Sequence, residues 1–97
     1  MARNHKLTRV IKGRTLQSAQ QQESVLTIVF TDGSTMTIKT AAPVKEAKAG
    51  GTIKAVRQQN TTLDLDFEDG TTLEVQTAEA TSSVMLRDKD RKFEYAD

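Results

Sequence analysis

The amino-acid sequence predicts a mainly β fold, with α+β as its neighbouring class: two tandem α-β-β-β repeats of 37-residue period followed by a C-terminal β-hairpin. Shifted by 37 positions, residues 13–41 overlie residues 50–78 without a gap. Eleven of those 29 positions are identical, among them Leu26/Leu63, Phe30/Phe67, Asp32/Asp69 and Gly33/Gly70. Most other apolar positions keep their character, as in Leu16/Ile53, Ile28/Leu65, Met36/Leu73 and Ile38/Val75, which marks an internal duplication. Each copy also carries two alternating runs around an Asp-Gly pair, the pattern of a half-buried hairpin. A length of 97 residues is one domain's worth of chain, so residues 1–97 form a single domain with repeats at 4–40 and 41–77 and the hairpin at 78–97.

Leu7, Val10 and Ile11 stand at i, i+3 and i+4 and predict a short helical turn that Gly13 stops. In the second repeat Pro43 fits a first helical position, Val44 and Ala47 share a face, and Gly50 ends the turn. Residues 15–20 and 52–57 follow as the first strand of each unit, and a Gln-rich connection follows them.

The next two runs of each repeat permit a register argument. Leu26, Ile28 and Phe30 share one face of a strand, as do Leu63, Leu65 and Phe67; Met36 and Ile38, or Leu73 and Val75, do so after the turn. A two-residue Asp-Gly turn would set Phe30 against Thr35 and mix core with surface. A three-residue loop, Thr31-Asp32-Gly33, sets Ile28 against Met36 and Leu26 against Ile38, and gives Gly33 the left-handed bulge position. Glu68-Asp69-Gly70 obeys the same logic, because a one-residue slip would turn every core side chain outward.

The tail departs from the repeat. Val84 and Leu86 alternate, Asp88-Lys89-Asp90 supplies a turn, and Phe93 and Tyr95 alternate again, a hairpin that covers an edge left open by the repeats. About eight short strands and two helical turns result, closed as a small barrel or arranged as two sheets. The Phe residues are expected in the core.

Composition excludes several chemistries. Leu, Ile, Val and Phe make up 21 of 97 residues, enough for a thin core only. No Cys is present, so disulfide scaffolds, thiolate metal sites and Cys nucleophiles are excluded. The lone His5 cannot assemble a Ser-His-Asp constellation or a multi-His metal site. No Gly-rich phosphate loop and no dedicated metal spacing occur, and no cofactor is expected. The sequence holds no apolar run long enough for a secretory h-region or a membrane span, so a cytoplasmic location without membrane contact is the default expectation.

Charge is the remaining clue. Residues 1–57 carry ten basic and three acidic side chains, a net of +7, whereas residues 58–97 carry four basic and ten acidic, a net of −6. Arg3, Lys6, Arg9, Lys12 and Arg14 cluster without an acid before Glu23 and could neutralise phosphates. Asp64, Asp66 and Glu74 point away from the core, and the three-residue loop sets Asp64 beside Glu74, a like-charge pair that costs stability unless a cation faces it. On the equivalent outer face of the first repeat stand Val25 and Val29 among threonines. These features predict a small non-enzymatic protein-interaction module that self-associates as a homodimer through Val25 and Val29. The alternative is a weak nucleic-acid or anion binder using Arg3, Lys6, Arg9, Lys12 and Arg14; no catalytic or metal-ligating residue stands out.

Overall fold

The computed structural model describes residues 2–44 and 50–97, and within them the period-2 runs are strands. They form β1 (Ala2–Arg3), β2 (Leu16–Gln22), β3 (Val25–Phe30), β4 (Thr35–Lys39), β5 (Ile53–Gln59), β6 (Thr62–Phe67), β7 (Thr72–Gln76), β8 (Val84–Arg87) and β9 (Phe93–Ala96), with one helix, α1 (His5–Ile11). The second helical turn, with Ala47, lies for the most part outside the described residues. The strands make two antiparallel sheets, ordered β1-β5-β6-β7 and β2-β3-β4-β8-β9, which are not closed into a barrel.

The hairpin registers follow from burial. Ile28 pairs with Met36 and Leu26 with Ile38; Leu65 pairs with Leu73 and Leu63 with Val75. Leu26, Ile28, Phe30, Met36 and Ile38 are fully buried against Leu63, Leu65 and Val75 of the other sheet, one shared core. Each loop is closed by a backbone bond across three residues, Phe30 N–H to Ser34 O and Phe67 N–H to Thr71 O, both 2.9 Å. Gly33 and Gly70 hold φ of +91° and +89° there, a region closed to most side chains.

The Gln-rich connection is not a connection. Gln21, Gln22, Gln58 and Gln59 lie inside β2 and β5, and the ladders run on to Gln22↔Val25 and Gln59↔Thr62. Two-residue turns suffice because Glu23 and Asn60 take φ of +54° and +53°. Polar side chains on the wet side of a strand are compatible with the ladder, so their polarity did not end it.

The halves meet at two corners, and each corner pairs a residue with its counterpart 37 positions on: Thr15↔Thr52 and Thr40↔Thr77. The backbone bonds there are reciprocal. Gly13 N–H bonds Ile53 O and Gly50 N–H bonds Leu16 O, both 2.8 Å. At the opposite corner Ala41 N–H bonds Gln76 O and Ala78 N–H bonds Lys39 O, again both 2.8 Å.

The two ends of the chain complete opposite sheets. The N-terminal arm crosses to the four-stranded sheet: β1 pairs with β5, and α1 packs beside it. Asn4 caps α1 by accepting from Leu7 N–H at 3.0 Å. The buried Thr8 hydroxyl accepts from Val56 N–H at 2.9 Å and donates to Val56 O at 3.2 Å, satisfying the edge of β5 with a side chain. At the other end β8 joins the edge of β4, with Leu86 beside Met36 and Val84 beside Ile38. No helix among the described residues is long and apolar enough to cross a membrane.

One core assignment is overturned. Phe93 is 58% exposed while Tyr95 is buried. The β8–β9 pairing passes from Leu86↔Tyr95 to Arg87↔Phe93, so Glu94 is an extra residue in a bulge that rotates Phe93 to the outer face.

Candidate interaction surface

Strand pairing sets the outer face of the five-stranded sheet in rows. Val29, Thr35, Arg87 and Phe93 form one row, and Thr27, Thr37, Met85 and Ala96 the next. Val25 begins a third, opposite Lys39. Val25 and Val29 are half-buried in this surface, and Met85, 39% exposed, and Phe93 extend it. The β8–β9 turn bends over one side and encloses a cleft of about 560 Å³, floored by Thr27, Val29, Thr37 and Met85. Arg87, Lys89 and Arg91 supply a basic rim, with Asp88 among them. Arg87 lies over the Phe93 ring at 5.9 Å and donates to Arg91 O at 3.0 Å, which orients the rim.

The corresponding face of the four-stranded sheet is charged. Arg57 grips Asp66 through two bonds of 2.7 and 2.8 Å and reaches Asp64 at 3.5 Å. Hydrogen bonding from Arg57 holds the Asp66 carboxyl below its ordinary range. Asp64 stands in register with Glu74, as the loop geometry required, and is buried with its Oδ1 lacking a hydrogen-bond partner. Burial pushes its carboxyl up, Arg57 opposes this, and Glu74 adds to it. Thr27 occupies the matching place in the first half, so two related positions present a methyl-bearing hydroxyl and a carboxylate.

The basic N-terminal cluster is divided, with Arg14 apart from the rest. Arg3 lies in β1, Lys6 and Arg9 on α1, and Lys12 caps its end; all four are exposed. Lys6 sits over the Tyr95 ring at 5.9 Å. Arg14 faces elsewhere: it bonds Glu94 at 2.7 and 3.2 Å, Ser34 at 2.9 Å, and reaches Asp32 at 3.5 Å. Among the described residues no group of three or more His, Asp or Glu side chains is placed to hold a metal ion.

Sequence patterning located Val25 and Val29 but not Met85, Arg87 and Phe93, which complete their face. The alternation of Val84 and Leu86 already turned Met85 and Arg87 outward; what it could not supply was that β8 pairs with β4 and so sets them beside Thr37 and Thr35. Compared with known proteins, the chain matches no family model, no curated protein and no solved structure.

Proposed function

We propose that the chain is a small, non-enzymatic protein-interaction module that self-associates as a homodimer through the outer face of its five-stranded sheet. One observation carries this. Met85 and Phe93, the exposed large hydrophobic side chains among the described residues, share that face with Val25 and Val29. Apolar side chains set among threonines, with cations beside them, are a surface that a partner can cover and that water disfavours.

Charge bears on the geometry of the dimer. The four cations of residues 58–97 all belong to the β8–β9 hairpin, and that hairpin joins the first repeat's sheet. The basic-rimmed face and the face of Asp64, Asp66 and Glu74 therefore look away from each other. Pairing one with the other would stack copies head to tail without closing, whereas the five-stranded face against itself closes a two-fold dimer. Such a contact draws on apolar burial, and Arg87, Lys89 and Arg91 oppose it, so added salt leaves it unchanged or tightens it. The pairing of Arg14 with Glu94 and Asp32 tells against the alternative of anion or nucleic-acid binding through Arg3, Lys6, Arg9, Lys12 and Arg14.

Sedimentation at micromolar concentration in low and moderate salt tests the proposal. It expects a species of twice 10.7 kDa that Val29→Lys returns to monomer. A native chain that is monomeric throughout defeats it. A dimer that survives Val29→Lys and Phe93→Ser together places the contact elsewhere.

A further inference from the structure

The two repeats differ at one strand edge, which is paired in the first half and, among the described residues, has no strand beside it in the second. β4 lies between β3 and β8, whereas its counterpart β7 pairs with β6 alone among the described residues. Thr71 O accepts from Phe67 N–H and Thr77 N–H donates to Thr61 O, so residues 71, 73, 75 and 77 turn their backbone groups to β6. Those of Thr72, Glu74 and Gln76 turn the other way, and Gln76 O accordingly accepts from Ala41 N–H at 2.8 Å. In β4 the same alternation turns Thr35, Thr37 and Lys39 to β8, where Lys39 N–H bonds Ser83 O at 2.8 Å. Along β7 runs a cleft of about 420 Å³ lined by Pro43, Val44, Thr72, Leu73 and Glu74. Leu73 is 8% exposed there, while Met36, its counterpart beside Leu86, is fully covered.

The geometry points to β7 as a docking edge for an extended segment of a partner protein, with two apolar residues two positions apart and a Lys or Arg between them. β8 is the template. Its Val84 and Leu86 reach the core beside Ile38 and Met36, and Met85 between them stands on the outer face opposite Thr37. Moved 37 positions along the repeat, the apolar pair falls beside Val75 and Leu73, and the middle residue falls opposite Glu74. Glu74 is exposed, stands in register with the buried Asp64, and has no cationic partner among the described residues. A cation at the middle position stands beside Glu74, as Arg57 stands beside Asp64 on the other side of the same row, whereas a second copy's β7 would bring another glutamate to this edge. Backbone bonds along the edge supply affinity, and the alternate side chains supply selectivity.

The inference stands apart from the dimer proposed above and is tested on the intact chain. A blocked hexapeptide, Ser-Val-Lys-Leu-Arg-Asp, reproduces residues 83–88 with Lys at the place of Met85, and is titrated while backbone amide NMR signals are followed. Saturable shifts over residues 72–76 are expected, with no binding by the same peptide carrying Ser in place of Val and Leu. Glu74→Lys weakens binding by about tenfold or more through charge reversal. Thr72→Pro removes an outward N–H and the exposed hydroxyl bond to Asp66 but no backbone bond of the β6 ladder; it abolishes binding, whereas Thr72→Val, which loses the hydroxyl alone, keeps it. Lack of saturation at millimolar peptide overturns the inference, as do shifts confined to the five-stranded sheet or insensitivity to both Glu74→Lys and Thr72→Pro. A native dimer lost in Thr72→Pro but kept in Val29→Lys also overturns it, in favour of edge-to-edge pairing of two copies.

Discussion

The hydroxyls of Thr15 and Thr52 meet at 2.9 Å, so a residue is bonded to its own counterpart 37 positions along the chain. The bond sits where the two sheets join, inside the reciprocal backbone bonds of Gly13, Leu16, Gly50 and Ile53. Because each hydroxyl serves the other, removing one strands its partner. Thr15→Val is expected to cost about 1 kcal/mol, and Thr15→Val with Thr52→Val less than the sum of the singles. Urea denaturation of the three variants measures this; strictly additive losses would mean the hydroxyls do not act as a pair.

Phe67 and Gly51 form a second coupled pair. A Cβ on Gly51 would fall 2.7 Å from the Phe67 ring, so the ring packs against bare backbone. Phe67→Ala is expected to cost roughly 3–5 kcal/mol, because the cavity lies in the shared core. Gly51→Ala should cost about 1–3 kcal/mol by overpacking, and much less in the Phe67→Ala background. A loss below about 1 kcal/mol in Phe67→Ala, the size of an ordinary surface change, would contradict the placement of that ring.

Asp64 gives the fold a pH dependence of definite sign. Its carboxyl is held above the ordinary value of 3.8, chiefly by burial, so the folded chain takes up this proton at higher pH than the unfolded chain does. The ionised group therefore opposes folding at neutral pH, and the opposition fades as pH falls through the raised value towards 3.8. Asp64→Thr, the residue at the matching site Thr27, should stabilise by roughly 1 kcal/mol at neutral pH and by progressively less in acid. Melting curves of both proteins across that range decide it; a stabilisation that grows on acidification contradicts the assignment.

Much of this fold was legible because short-range patterns carried it. Alternation in the two hairpins, with Gly at positions 33 and 70, left only one register that buries Leu26, Ile28, Leu63 and Leu65 together. What escaped depended on pairing between distant segments. Nothing local in Ala2 and Arg3 says that they lie against Gln58 and Arg57. Nothing local in Phe93 announces a bulge at Glu94, where Arg14, far away in sequence, supplies the ion pair. The surface was half legible for the same reason: Val25 and Val29 share one strand, but Met85 and Phe93 reach them only through β8 and β9.

Dilution of the native chain, followed by backbone amide NMR, reads the proposed contact between copies through the outer face of the five-stranded sheet. Signals of Val25, Thr27, Val29, Thr37 and Met85 should move together with concentration and fit one monomer–dimer equilibrium that added salt does not weaken. Signals of Asp66, Thr72 and Glu74 on the opposite sheet should stay still. Concentration-independent spectra, or movement confined to Asp66, Thr72 and Glu74, would contradict the account.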